Sequence, residues 1–532
     1  MRLVRRSPLG SPQSDDDMNG ARSLLKTLIA SGVDVCFANP GTSEMHFVAA
    51  LDAEEDMRAV LGLFEGVVTG AADGYARMTG KPACTLLHLG PGLGNGLANL
   101  HNARRAQVPL VNIVGEHATY HRHLDAPLTS DIESIAAGVS GWIHVAEDAQ
   151  SVAADGARAV AASYGPPGQV ATLILPADTA WESPGVPADP ITPCSPALPS
   201  AERVEEIART LHAAGDSAAL LMNGSALSEE GVALAGQIAA ATGARLFRDT
   251  FVGRVTRGAG RRHVSRLPYF GDQVVEVLDG IQHLVTVGTK PPVSFFAYPG
   301  KPGELTPDGC SVHCLADPSE DGRGALAALV DALDAGKTPP AIEAEQRPPL
   351  PTGALTPTAI AQALAHLLPD HAIVMSEAST AGRPIYSAIR GSGPHDWLDL
   401  TGGAIGQGMP AATGAAVACP DRKVISLEAD GSGMYTLQAL WTQAREELDV
   451  TTIIFSNRRY AILEMEYQRV GVGDPSPRAK SLFDLSRPEL DWVQLARGLG
   501  VDGARATTAD EFGRELAHGL SEIGPYLIEA VL

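Results

Sequence analysis

Three doubly wound, parallel-sheet α/β domains in series are what this sequence predicts, and three observations predict them. Short apolar runs alternate with helix-length segments along the whole chain, the pattern of parallel strands joined by crossover helices. The runs fall into thirds: Ala83–Leu89, Leu110–Val114 and Ala171–Leu175; Ser217–Met222 and His283–Val287; Ala372–Met375, Lys423–Leu427 and Thr452–Phe455. Between the thirds lie two proline-rich stretches, from Pro184 to Pro199 and from Thr338 to Pro357. Proline removes a backbone donor and resists helix continuation, so such clusters read as linkers. The expected domains are 18–185, 195–340 and 355–532.

Bulk numbers narrow the function classes. At 532 residues the chain is too long for a single core. Its 45% hydrophobic and 19% charged content is that of an ordinary globular protein. Lys+Arg 40 against Asp+Glu 62 gives a net charge of −22, which argues against a nucleic-acid partner. Anionic small substrates stay open, because a helix N-terminus or a metal dominates within a pocket. No run of 18 apolar residues occurs, so neither a membrane span nor a membrane partner is expected. The cysteines at 36, 84, 194, 310, 314 and 419 are scattered and read as reduced thiols in a cytoplasmic protein. Cys310-x-x-x-Cys314 lacks a second pair to complete a metal site, so buried structural thiols are expected there. Met1 to about Asp17 carries Arg2, Arg5 and Arg6 but no apolar segment of a secretory signal. It reads as a disordered extension, with Met18 an alternative start.

The residues that carry chemistry begin with Leu427-Glu428-Ala429-Asp430-Gly431-Ser432. An apolar run ends there, a helical stretch follows, and a second run ends at Ser456-Asn457. A carboxylate and a carboxamide thus stand at the C-terminal ends of two strands, where open α/β sheets place their ligands. With a hydroxyl and a helix N-terminus beside them, they suit Mg²⁺ holding a diphosphate. Alone, Asp-Gly-Ser is an ordinary turn. It is accompanied by Phe64-Glu65-Gly66 running into Gly70-Ala-Ala-Asp-Gly-Tyr-Ala-Arg77, by Ala38-Asn-Pro-Gly-Thr-Ser-Glu44, by His88-Leu-Gly-Pro-Gly-Leu-Gly-Asn95, and by Gly402-Gly-Ala-Ile-Gly406 with Pro410-Ala-Ala-x-Gly414.

With these motifs in this order, from Met18 to Leu532, the chain resembles the thiamine-diphosphate enzymes of the acetolactate synthase and benzoylformate decarboxylase superfamily. The resemblance implies a pyrimidine-binding domain, a middle domain and a diphosphate-binding domain, with thiamine diphosphate and Mg²⁺ as cofactors. One departure stands out. Ala429 replaces a glycine usual before the metal-binding aspartate, which matters only if that position needs positive φ.

The resemblance also implies roles. Glu65 stands where the family keeps the carboxylate that activates the aminopyrimidine, a cofactor that supplies its own carbanion chemistry. Ile405 stands where a bulky apolar side chain props the bent cofactor, and the Gly403 carbonyl would accept from its amino group. Asp430, Asn457 and the backbone oxygen of Arg459 are the expected metal ligands. Gly431, Ser432, Ser379 and Thr380 are expected at the diphosphate. On the substrate side, His88 is the expected catalytic histidine, as in benzoylformate decarboxylase. Thr42, Ile462, Leu463 and Tyr467 are expected to line the pocket. His117, His121 and His123 read as loop residues rather than a zinc site, one of them bordering the entrance.

The expected reaction is addition to a 2-oxo acid, a bulky or aromatic side chain being within the class considered, and release of CO₂. The enamine is then protonated or ligated to a second carbonyl. His88, Tyr467 and Asp125-Ala-Pro-Leu-Thr129 set the chain apart from true acetolactate synthases. Two alternatives stand beside this reading: a flavin-linked oxidase on the same scaffold, with FAD not favoured, and a non-catalytic regulatory homologue. Retention of Glu65, Asp430 and Asn457 argues against the latter. The assembly implied is a homodimer or homotetramer with sites shared between subunits.

Overall fold

The computed structural model describes residues 18–532, so the extension expected over 1–17 lies outside the described residues. Strands β1 (Val35–Asn39), β2 (Arg58–Leu61), β3 (Ala83–Leu87), β4 (Leu110–Glu116), β5 (Trp142–Val145) and β6 (Val170–Pro176) form a parallel sheet ordered β2-β1-β3-β4-β6-β5. Strands β3, β4 and β6 are buried along their whole length, as expected of a parallel sheet covered on both faces. The order reverses between β1 and β3, whose carboxyl ends therefore open a crevice.

The middle third contributes β7 (Ala218–Met222), β8 (Arg245–Arg248), β9 (Val255–Arg257), β10 (Ser265–Arg266), β11 (His283–Val287) and β12 (Ser311–Ala316). Five of these make a sheet ordered β10-β8-β7-β11-β12. The sixth leaves its third: β9 pairs antiparallel with the edge of the last sheet. Three residues, Val255-Thr256-Arg257, give no periodicity, so nothing in the sequence announced this crossing. The last sheet runs β17-β18-β16-β15-β13-β14-β9, from β13 (Ile373–Glu377), β14 (His395–Asp399), β15 (Val424–Ala429), β16 (Val450–Ser456), β17 (Asp502–Ala506) and β18 (Tyr526–Val531). Its order reverses between β13 and β15, directly under Asp430.

Both proline-rich stretches run without helix or strand, apart from isolated bridges at Ala197 and Ala354, until Pro357 opens the next helix. The cysteine expectation needs correcting. Cys314 is exposed and Cys310 half-buried, because β12 is an edge strand; only Cys36 and Cys84 are buried.

First and last domains meet through helices Glu65–Thr79 and Gly408–Ala418. A Cβ at Gly74 would strike the Ala411 carbonyl, and one at Gly414 the Ala71 carbonyl, so the two backbones touch where only glycine fits. The contact is pinned by a buried ion pair. Arg77 donates to both oxygens of Asp73 at 2.8 Å, and also to the Asp399 carbonyl (2.7 Å) and Thr401 Oγ1 (2.8 Å). Asp73 and Arg77 therefore hold domains together, and leaving either unpaired would strand a buried charge.

Candidate active site

The turn Gly402–Gly406 follows β14 and lies on the first domain. His101 Nε2 donates to the Gly402 carbonyl (3.1 Å), Asn102 Nδ2 to that of Ala404 (2.8 Å), and Asn99 Nδ2 to that of Gly406 (3.1 Å). Thr436 Oγ1 also donates to Gly406 (2.9 Å). Alternate carbonyls are thus taken by the chain itself. The Gly403 carbonyl between them has no partner among the described residues, and Ile405 is half-buried. Gly403 (φ +75°) and Gly406 (φ +94°) adopt the left-handed conformation that makes this turn possible.

Glu65 opens its helix directly after the Phe64 cap and is buried. Asn95 Nδ2 donates to its Oε2 at 3.0 Å. Asn99, one turn further along the same helix, bridges the Gly66 carbonyl (2.7 Å) and Gly406. The carboxylate and the turn are therefore positioned by a single helix, Leu89–Ala106. Sequence reasoning missed Asn95 and Asn99, although the glycine-rich motif ends on the first of them.

Asp430 caps β15 and is buried. Its Oδ1 accepts from Gly431 N (2.9 Å) and its Oδ2 from Arg458 N (2.5 Å). Burial outweighs these amides and pushes its pKa up to about 6. Asn457 follows β16, and its Oδ1 accepts from Arg459 N at 3.1 Å. The Arg459 carbonyl accepts from Ala461 N at 3.0 Å and keeps its second lone pair. A Cβ at Gly431 would enter the Tyr460 ring, so backbone approaches here are close. Thiamine diphosphate with Mg²⁺ fits this donor set: a buried carboxylate, a carboxamide, and hard oxygens throughout. Ala429 sits at φ −82°, so the glycine it replaces is not required.

Ser432 Oγ donates to Glu428 Oε1 at 2.5 Å. Glu428 pairs in register with Glu377 across β15 and β13, and both are buried. Burial, then the Glu377 charge, holds Glu428 well above the usual carboxylate range. Burial likewise pushes Glu377 up to about 7, against donation from the Gly406 and Gly408 amides. Glu377 thereby anchors the Gly406 end of the turn from beneath. Ser379, two residues on, is exposed at φ +48°, and Thr380 is half-buried.

On the other side, the reversal between β1 and β3 places Gly41–Glu44 opposite His88. His88 Nδ1 lies 2.8 Å from Glu44 Oε2, which also accepts from Gly41 N at 2.7 Å. With Glu44 accepting, Nδ1 is the donor and Nε2 is left free of this contact. Burial raises Glu44 above the ordinary carboxylate range, while the Gly41 amide and His88 oppose that rise. Gly115 leaves the space that Glu44 fills. Glu44 was legible only as the last letter of a motif. Thr42 is exposed at the start of the same turn.

Ile462, Leu463 and Tyr467 lie on helix Ala461–Arg469, which begins immediately after Arg459. Leu463 is exposed, and the Tyr467 ring packs on Phe483 at 6.2 Å. The helix is tied to the middle domain by Tyr298 Oη donating to Glu466 (2.8 Å) and by Arg469 on Asp272 (3.0 Å). The His117 and His121 rings lie 5.5 Å apart, tilted by 54°, in the loop after β4.

Comparison with known proteins identifies the family. The family described as "Thiamine pyrophosphate enzyme, N-terminal TPP binding domain" matches residues 18–137, and its C-terminal TPP binding domain matches 384–530. IlvX of Mycobacterium tuberculosis, provisionally named an acetolactate synthase large subunit, is 54% identical over 97% of this chain and 99% of its own. Benzoylformate decarboxylase of Pseudomonas aeruginosa is 31% identical over 94% of this chain and 96% of its own. The solved thiamine diphosphate-dependent 4-hydroxybenzoylformate decarboxylase of Rhodococcus jostii superposes with a TM-score of 0.82 at 25% identity, covering 96% of this chain and 98% of that one. Two matched domains and full-length relatives settle the lineage: the chain belongs to the thiamine pyrophosphate enzymes.

Proposed function

We propose that this protein is a Mg²⁺- and thiamine diphosphate-dependent enzyme that adds to a 2-oxo acid, releases CO₂, and protonates the remaining fragment. The observation that carries this reading is His88 braced by Glu44 across the switch point of the first sheet. The cofactor, when bound, supplies the nucleophilic carbon and holds the electrons left by decarboxylation. Glu65 would bond the pyrimidine and so govern its proton inventory. Ile405 would support the bound cofactor, and the Gly403 carbonyl, without a partner among the described residues, would accept from it. Asp430, Asn457 and the Arg459 carbonyl hold the cation, while Gly431, Ser432, Ser379 and Thr380 meet the diphosphate. His88 orients the substrate carboxylate and, after Nε2 has taken up a proton from solvent, delivers it to the remaining fragment, with Thr42, Ile462, Leu463 and Tyr467 around the substrate. Domain limits follow as 18–185, 195–340 and 355–532, in a cytoplasmic protein.

His88→Ala should lower turnover by about 10²–10⁴-fold while leaving cofactor affinity within a few-fold. Glu44→Gln keeps an acceptor for Nδ1 but removes the charge, so it should lower kcat and shift the pH–rate profile. A Glu44→Gln profile identical to the parent's would reduce Glu44 to a structural residue. A panel of 2-oxo acids with CO₂ and product analysis tests the reaction itself.

Ligation to a second carbonyl is the second reading, favoured by the 54% identity to IlvX. FAD is not favoured in either.

The working unit in this reading is a symmetric dimer. The first domain of one chain already occupies one side of its own Gly402–Gly406 turn, leaving the Gly403 carbonyl for a cofactor brought against it by a second chain. Mixing Glu65→Gln with Asp430→Ala should rebuild intact sites and restore part of the activity. An active species at the single-chain mass of 55.4 kDa would overturn the shared site.

A further inference from the structure

The turn Gly402–Gly406 stands on two buried residues, Thr401 before it and Gln407 after it. The two are joined to each other, Thr401 N donating to Gln407 Oε1 at 3.3 Å. Both are also joined to the ion pair of the first domain. Arg77 Nη2 donates to Thr401 Oγ1 (2.8 Å) and to Asp73 Oδ2 (2.8 Å), and Gln407 Nε2 donates to that same Asp73 oxygen. Thr401, Gln407, Asp73 and Arg77 thus form a closed hydrogen-bonded ring, two members from each domain, across the base of the turn. The Gln407 backbone cannot swing away, because the amides on either side of it, Gly406 N and Gly408 N, both donate to Glu377. A carboxamide offers a donor and an acceptor on one carbon, which is what Asp73 and the Thr401 amide require. A carboxylate there would face Asp73 as a like charge, and an apolar side chain would leave the Thr401 amide unpaired.

We propose that Gln407 is a positioning residue: by closing this ring it fixes the span of the turn, and with it the Gly403 carbonyl and Ile405. Buried beneath the turn, it reaches the cofactor only through the shape of that turn. The inference rests on the function proposed above, which sets those two groups against the cofactor. Asp73 lies two turns along the helix that Glu65 opens, so the ring also fixes the turn against that helix. A displacement of about 1 Å at such a group lowers a rate by up to about 10²-fold.

The test compares the parent holoenzyme with Gln407→Met, Gln407→Glu and the double variant Asp73→Asn/Gln407→Glu, each loaded with thiamine diphosphate and Mg²⁺. The double variant moves the carboxylate to the other side of the same hydrogen bond. Gln443→Met is the control, since Gln443 is equally buried in the last domain but donates to Thr413 Oγ1 (3.0 Å), outside the ring. Gln407→Met and Gln407→Glu should lower kcat for a 2-oxo acid about 10- to 100-fold, with KM and cofactor affinity each within about fivefold. The double variant should recover most of the loss in Gln407→Glu. Gln443→Met should lower the melting temperature and leave kcat within about twofold. Gln407→Glu, which keeps the volume, carries the test if Gln407→Met does not fold. An unchanged kcat, a loss that Gln443→Met reproduces, or a double variant no better than Gln407→Glu overturns the role. A second readout needs no turnover: the near-ultraviolet circular dichroism of the bound cofactor should change in Gln407→Met, return in the double variant and stay unaltered in Gln443→Met. If the parent consumes no 2-oxo acid, the proposed reaction falls and this spectrum decides alone, an unaltered spectrum in Gln407→Met overturning the role. If the parent is active and neither kcat nor the spectrum responds to Gln407, the reaction stands and the positioning role falls.

Discussion

Glu65→Gln is expected to leave the fold and cofactor binding intact while slowing turnover by about 10²–10⁴-fold, the usual cost of losing an acid–base group. The fold should survive because Glu65 carries little of the packing. It opens a helix whose neighbour Val67 is locked into the third domain's apolar cluster with Met409, Leu440 and Trp492. Glutamine keeps the volume and can still accept from Asn95. What it loses is a carboxylate able to take and return a proton. The measurement is steady-state turnover beside a cofactor titration and a thermal melt. Full activity in this variant would remove Glu65 from the chemistry, whereas a lost melt transition would mean the position is structural.

Asp430→Ala should abolish Mg²⁺-dependent retention of the cofactor, because the diphosphate then meets the pocket without its cation. Titrating thiamine diphosphate with and without Mg²⁺ checks this, and affinity unchanged in both conditions would place the metal elsewhere. The same carboxylate predicts a pH dependence. Burial raises it from an ordinary 3.8 to about 6, so the folded metal-free protein binds a proton there more tightly than the unfolded chain. Its contribution to stability is therefore fully present below about pH 4 and is lost as pH rises through about 6. Mg²⁺ competes with that proton, so its affinity should weaken as pH falls through 6. The melting temperature gained on adding Mg²⁺ should accordingly grow between pH 5 and pH 7. A gain independent of pH over that range would show that the cation does not bind Asp430.

Much of the architecture could be read before any coordinates. The apolar runs Lys423–Leu427 and Thr452–Phe455 became the buried parallel strands Val424–Ala429 and Val450–Ser456, whose carboxyl ends put Asp430 and Asn457 at one side of the sheet. Strand β9 could not be read, since three residues have no period and its partner is 140 positions away. Glu44 and Asn99 fall between these cases: each is printed inside a motif, but its role depends on what lies across the crevice. The exposed edge at Cys314 was misread for a related reason. An apolar strand looks the same in sequence whether or not a neighbour covers its outer side.

By itself the sequence determined the strand–helix alternation, the three sheets, the metal-type oxygen donors after β15 and β16, and the carboxylate opening the Glu65 helix. These are local properties, set by periodicity and by which residue ends a strand. Only the tertiary structure decided that Glu44 braces His88, that Asn99 ties Gly66 to Gly406, that Arg77 clamps two domains, and that Gln407 ties the cofactor turn to Asp73. Each of those contacts joins residues far apart along the chain. They form because strand order and helix crossing bring separate loops to one edge, and that placement is a property of the packed whole rather than of any segment.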